Sequence, residues 1–194
     1  MHFEALAPNL VYLLAFLIIL VESGIFFLFF LPGDSLLFAL GILAAGGKIV
    51  LGHLILILIA AAIIGNILGY FFGTLMRRGL LEGRKYLPKV RPEHLARAET
   101  FYEKYGIYAV LFSRFVPVVR TIVPFFAGIV MMRRRTFGLW TVIGGIVWIS
   151  TVVLVGYYLG EEFDLHNFTY IGVGVILVAA IATPVFLKLL KRLA

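Results

Sequence analysis

The sequence predicts an all-α polytopic membrane protein, an inverted repeat with two opposed re-entrant, broken-helix elements. Of 194 residues, 62% are hydrophobic and only 14% charged, with a mean hydropathy of +1.07. That leaves too few polar groups to cover a soluble globule. Apolar runs fill nearly the whole length, so residues 1–194 form a single membrane domain with no separate soluble module. Two of those runs are interrupted by proline close to ionisable side chains, which a plain crossing does not need.

The first apolar stretch, Leu10 to Leu31, carries Glu22 and ends in Leu31-Pro32-Gly33-Asp34-Ser35. Proline and glycine stop the helix, and Asp34 or Ser35 is placed to cap a helix restarting at Leu36. That second piece, to about Ala45, is too short for a hydrocarbon core about 30 Å thick. Residues 10–46 therefore read as the first broken element, closed by Gly46-Gly47-Lys48. Residues 10–31 suit either a full span or one leg of a re-entrant hairpin.

Residues 49–76 are a clear span with Ala61, Gly65, Gly69 and Gly73 at four-residue spacing, a stripe that lets another backbone approach. Asn66 is expected to hydrogen-bond a neighbouring helix. His53 is expected to be interfacial or packed rather than a ligand, since no second histidine or carboxylate stands at metal spacing. Residues 77–104 hold eight Lys/Arg against four Asp/Glu and so form the main cytoplasmic loop, with an interfacial helix after Pro92.

Orientation then constrains residues 105–132. This apolar run lies between the basic loop and Arg133-Arg134-Arg135, and both flanks belong inside. A single crossing cannot satisfy both. Pro117 and Pro124 allow the run to turn back at mid-depth, as a hairpin opening to the cytoplasm. Residues 136–160 then cross outward to Glu161-Glu162, and a C-terminal span, 168–187, returns to a cytoplasmic C-terminus at Lys188, Lys191 and Arg192. The repeat shows as Gly69-Tyr70-Phe71-Phe72-Gly73 and Gly156-Tyr157-Tyr158-Leu159-Gly160, which follow Pro32 and Pro117 by 37 and 39 residues. Two such copies of opposite direction are a plan found in secondary transporters, with the site where the broken helices meet.

The excess of 17 Lys+Arg over 10 Asp+Glu sits mostly in short loops, which suits membrane orientation and anionic lipid rather than nucleic acid. The chain has no cysteine, and thus no disulfide or thiolate metal site. No cleavable signal peptide is expected, because residues 1–9 lack a positive n-region.

The candidate site centres on Arg114 and Arg120, two arginines in one apolar run. Each costs about 2.5 to 3.5 kcal/mol near the bilayer midplane unless partnered. A break at Pro117 lets both guanidinium groups converge on a phosphate. The alternative is that each pairs with Glu22 or Asp34 to join the two broken elements. A phosphate competing for the arginines would release a carboxylate, which favours its protonated form in apolar surroundings and so admits proton coupling. For Asp34, helix capping is the plainer role. Gly128 and the other glycines near the breaks serve backbone approach, Trp140 and Trp148 serve packing or interfacial anchoring, and Arg133 to Arg135 serve topology or anionic lipid contact.

With Glu22, Pro32-Gly33-Asp34-Ser35, Gly65-Asn66-Ile67-Leu68-Gly69-Tyr70, Arg114-Phe115-Val116-Pro117-Val118-Val119-Arg120-Thr121, Pro124 and Ala127-Gly128 in place, the chain resembles the DedA family of bacterial inner-membrane proteins. This family belongs to the SNARE-associated, VTT-domain superfamily, whose eukaryotic members are lipid scramblases of the endoplasmic reticulum. The resemblance runs from about Glu22 to Gly160. It implies two opposed re-entrant elements, a multi-pass place in the bacterial plasma membrane, and transport of lipid phosphates, undecaprenyl phosphate above all. It also implies functional roles for the acidic pair Glu22 and Asp34 and the basic pair Arg114 and Arg120. Asn66 departs from the pattern, since many members carry an acid there.

The expected function is a flippase of undecaprenyl phosphate or a phospholipid, with membrane lipid and protons as partners. The competing expectation is a proton-coupled carrier of a small ion or solute. No metal-ligand cluster and no nucleophile with its base stand at recognisable spacing, so neither an enzyme nor a cofactor is expected.

Overall fold

A computed structural model describes residues 3–25, 33–81 and 92–162. Among these the structure is helical: α1 (Phe3–Gly24), α2 (Gly33–Ala45), α3 (Leu51–Leu81), α4 (Pro92–Phe112), a 3₁₀ turn (Ser113–Phe115), α5 (Pro117–Ile129) and α6 (Arg134–Glu162). Pro32, the 82–91 part of the basic loop and the C-terminal span at 168–187 lie outside the described residues. Among the described residues two helices are apolar and long enough to cross a bilayer, Leu51–Arg77 and Arg134–Glu161, with mean hydropathies of 2.5 and 2.0.

The solvation pattern is that of a bilayer protein. Leu56, Phe71, Leu139 and Tyr158 are exposed, whereas Glu22, Asn66, Ser113, Arg114, Thr121 and Thr141 are buried. Apolar surface facing outward and polar groups facing inward suit a hydrocarbon solvent.

Two boundaries differ from expectation. Helix α1 ends at Gly24 rather than at Leu31. Its last turn lies against α3, where a Cβ on Gly24 would come within 3.2 Å of the Gly65 carbonyl oxygen. Helix α2 begins at Gly33 rather than Leu36, so Asp34 sits in the first turn, where its charge complements the helix dipole, instead of capping from outside.

The described chain divides into two compact units, and each takes residues from both halves of the sequence. One consists of Met1–Ala15, Phe30–Leu56 and Ile149–Ala194. Within it α2 lies along the Gly156–Gly160 end of α6. A Cβ on Gly41 would overlap the Val153 carbonyl, and one on Gly156 the Phe38 carbonyl. The Val50 amide also donates to the Tyr12 hydroxyl at 2.7 Å.

The other unit consists of Phe16–Phe29 and Ile57–Trp148. Here α5 lies along the Gly69–Gly73 end of α3, and the same interlocking recurs: a Cβ on Gly73 would overlap the Phe125 carbonyl, and one on Gly128 the Tyr70 carbonyl. Both α2 and α5 have 13 residues, and each runs in the same sense as the long helix it touches. The short helix in the first half of the chain thus meets the Gly-Tyr end of α6, and the short helix in the second half meets that of α3.

Residues 105–132 are not one straight helix. Helix α4 ends in the 3₁₀ turn, and Val116 is extended (φ −119°, ψ 107°) before Pro117 opens α5. Proline disfavours the helical conformation in the residue before it and is readily accepted in a first helical turn. Pro124, expected to help break the run, instead lies inside α5 without ending it. Its role is contact: a Cβ on Gly69 would sit 3.4 Å from the Pro124 Cβ.

The chain comes back to where it started. The Arg77 guanidinium, near the end of α3, donates to Glu99 Oε1 in α4 at 2.5 Å and to the Ile129 carbonyl ending α5 at 2.9 Å. Tyr70 donates to the Met132 carbonyl at 2.6 Å and stacks on Phe137. Helix α5 closes with a Schellman pattern, in which the Met132 amide reaches the Ala127 carbonyl and the Met131 amide the Gly128 carbonyl. Met131 holds the left-handed position (φ 56°) that glycine usually fills.

Because backbone cannot yield cheaply, Gly128→Ala and Gly41→Ala are each expected to lower the thermal unfolding midpoint of the purified protein sharply, corresponding to about 1 to 3 kcal/mol or more. Gly138, with nothing within 4 Å of its added Cβ, is the control. Gly138→Ala should be neutral or stabilising by up to about 1 kcal/mol. Met131→Gly should raise the midpoint, since a left-handed non-glycine residue costs roughly 1 to 2 kcal/mol, partly offset by the freedom glycine gains on unfolding.

Candidate functional site

Three ionisable side chains meet inside the second unit. Glu22 is supplied by the last turn of α1, Arg114 by the 3₁₀ turn and Arg120 by the first turn of α5. The extended residue at 116 separates the two arginines into different local geometries, so a six-residue spacing that would diverge in a continuous helix converges here. Arg120 donates to Glu22 Oε1 at 2.5 Å, with the side chains 9% and 3% exposed. Its guanidinium carbon also stands 4.3 Å from the centre of the Trp148 ring, in cation–π range.

Arg114 is held differently. It is 6% exposed and donates through Nη2 to the Thr141 carbonyl at 2.8 Å, while its Nε has no hydrogen-bond partner. Among the described residues no carboxylate pairs with it. Glycine makes room for it, since a Cβ on Gly144 would come within 2.6 Å of Arg114 Nε.

Both arginines line one void together with Asn66, Ser113, Val123, Pro124 and Thr141. Its volume is about 10 Å³. That is near the threshold for one water molecule. Asn66 does not reach a neighbouring helix as expected; its amide donates to the Ala62 carbonyl of its own helix at 2.7 Å. Seven residues after Pro117, Pro124 forms part of the wall. Asp34 belongs to the other unit, in the first turn of α2, and His53 is exposed. Among the described residues no cluster of three or more His, Cys, Asp or Glu is placed to hold a metal.

Sequence reading missed the α6 side of this site. Thr141, Gly144, Gly145 and Trp148 are all buried and stand at i, i+3, i+4 and i+7, one helix face. That periodicity was available in a span otherwise read only as apolar. It also missed the Arg77–Glu99 ion pair, whose partners lie in different elements. A larger cavity, about 470 Å³, opens between the middle of α4 and the turn after α5. In its wall, burial pushes the Tyr102 phenol up to about 12, so it stays a neutral donor at physiological pH.

Arg120→Ala would remove the arginine that pairs with buried Glu22, and is expected to destabilise the protein by about 3 to 5 kcal/mol. A Glu22→Leu, Arg120→Leu double variant should recover most of that loss. Denaturation midpoints of the three proteins in one detergent check the cycle.

Comparison with known proteins gives the chain its relatives. The VTT domain matches residues 31–158. The chain is 34% identical over 188 residues to Protein DedA of Escherichia coli (strain K12), covering 95% of this chain and 85% of that protein. It is 33% identical over 165 residues to Inner membrane protein YqjA of the same strain, covering 82% and 74%. To the membrane protein Rv0364 of Mycobacterium tuberculosis (strain ATCC 25618 / H37Rv) it is 33% identical over 168 residues, covering 84% and 72%. No solved structure matches.

Proposed function

The chain belongs to the VTT domain family, that of the DedA membrane proteins, and from that premise we propose that it moves lipid phosphates across the membrane, undecaprenyl phosphate or a phospholipid. The observation that carries this reading is the imbalance of charge around one void. Arg114 and Arg120 both line it, Glu22 answers Arg120, and no described carboxylate answers Arg114. A buried guanidinium without an anion is costly, and a phosphate supplies the missing charge with the acceptor geometry a guanidinium fork prefers.

In this reading the observed void is the closed state, too small for a headgroup. Opening requires Arg120 to exchange Glu22 for phosphate, and the released carboxylate is then the proton acceptor that couples transport to a pH gradient. The acyl or prenyl tail stays in lipid while the headgroup passes. The reading also takes residues 105–132 as a re-entrant hairpin open to the cytoplasm, in an inverted repeat within the bacterial plasma membrane. It is supported by the return of α5 to the Arg77 end of α3 and by the matched glycine contacts of the two units. No enzymatic step is part of it.

Reconstitution into liposomes tests it, with the accessibility of labelled undecaprenyl phosphate followed with and without a pH gradient. The wild-type chain should speed exposure of the label, and Arg114→Met should fall to the rate of empty liposomes. Because Arg114 has no described counter-charge, Arg114→Met should leave stability within about 1 kcal/mol of wild type or raise it, separating transport from folding. Equal rates for wild type and empty liposomes would sink the proposal; ion flux without lipid movement would favour the small-solute carrier instead.

A further inference from the structure

The 470 Å³ cavity between α4 and the turn after α5 is distinct from the arginine void and shares none of its lining residues. Its size falls in the range of small-ligand sites. One wall is a single face of α4: Glu99, Tyr102, Glu103 and Ile107 stand at i, i+3, i+4 and i+8. The facing wall is the α5–α6 turn, with Met132 and Arg133.

The charges of these walls do not cancel across the cavity. Glu99 is taken by Arg77. Glu103 and Arg133 are exposed, and among the described residues neither makes an ion pair. The basic side lies at the start of α6, where Arg133, the Thr136 hydroxyl and the positive end of a 29-residue helix come together. The acidic side offers Glu103 with the neutral Tyr102 ring and phenol, a setting for an ammonium group. Ile107 and Met132 add apolar lining.

We propose that this cavity binds a zwitterion carrying an ammonium and a phosphate, of the phosphoethanolamine type, with the ammonium at Glu103 and the phosphate at Arg133 and the start of α6. A simple anion would leave Glu103 facing it, and a simple cation would leave Arg133 facing it. Only a ligand with both charges meets both walls. The site stands apart from the transport reading: it requires neither Arg114 nor Arg120.

Titration of the purified full-length chain tests the proposal, with short-chain (dihexanoyl) phosphatidylethanolamine, the matching phosphatidylglycerol and free O-phosphoethanolamine as probes, read by native mass spectrometry. The ethanolamine lipid is expected to bind one per chain, and Glu103→Gln and Arg133→Gln are each expected to weaken it about tenfold, the loss of one charge-assisted contact. Both positions are exposed, and unchanged melting midpoints verify that the variants fold. Binding by the lipid and not by free O-phosphoethanolamine identifies a membrane lipid as the source, and equal binding by both identifies a soluble headgroup. Equal affinity for the glycerol lipid, or binding unaffected by Glu103→Gln, overturns the proposal. So does binding abolished by Arg114→Met but kept by Glu103→Gln, which would put the lipid in the arginine void.

Discussion

Burying charge where water cannot reach it is the constraint on which this structure depends. An ion taken from water into a protein interior loses several kcal/mol of solvation, and recovers it only through a partner of good geometry. Glu22 and Arg120 pair with one another through one carboxylate oxygen, with the Trp148 ring against the guanidinium. Among the described residues Arg114 has only a backbone carbonyl of α6 to donate to, so the two arginines of one short segment are held in unlike ways. The same charges therefore explain why α1, α5 and α6 are fastened here.

Close approach of helices makes the site geometrically feasible. In hydrocarbon there is no gain from hiding apolar side chains from water, so association relies on van der Waals contact between backbones brought near by small residues. The glycines at 73 and 128 in one unit and at 41 and 156 in the other leave no space for a methyl group. Each short helix is fixed against a long helix remote in sequence, and in the second unit this holds α5 in place and presents Arg120 to Glu22. An insertion in either broken segment would shift that register. The charge pair would then be lost before any helix was.

Proline at 117 acts through its neighbour. The extended Val116 swings the chain between Arg114 and Arg120, and Ser113–Phe115 tighten into a 3₁₀ turn that aims Arg114 at α6. Pro124, only seven residues on, lies inside α5 without ending it and packs against Gly69 of α3. Residue type alone therefore did not separate a hinge from a packing contact. Position relative to the glycines of α3 did.

Membrane character, the long spans, the interruption between Arg114 and Arg120, and the candidate charges at 22, 114 and 120 were all legible in the sequence. Composition and local backbone preference operate over a few residues and do not depend on the fold. The end of α1 at Gly24, the start of α2 at Gly33, the inward turn of Asn66 onto its own helix and the part played by Trp148 were not, because each is decided by which backbone lies opposite. Sequence by itself determined that arginines sit in an apolar run and that the run must break. Only the tertiary structure decided that Arg120 takes Glu22 while Arg114 is left to a carbonyl, since a charge chooses its partner by distance in space, and glycine contacts between remote segments set that distance.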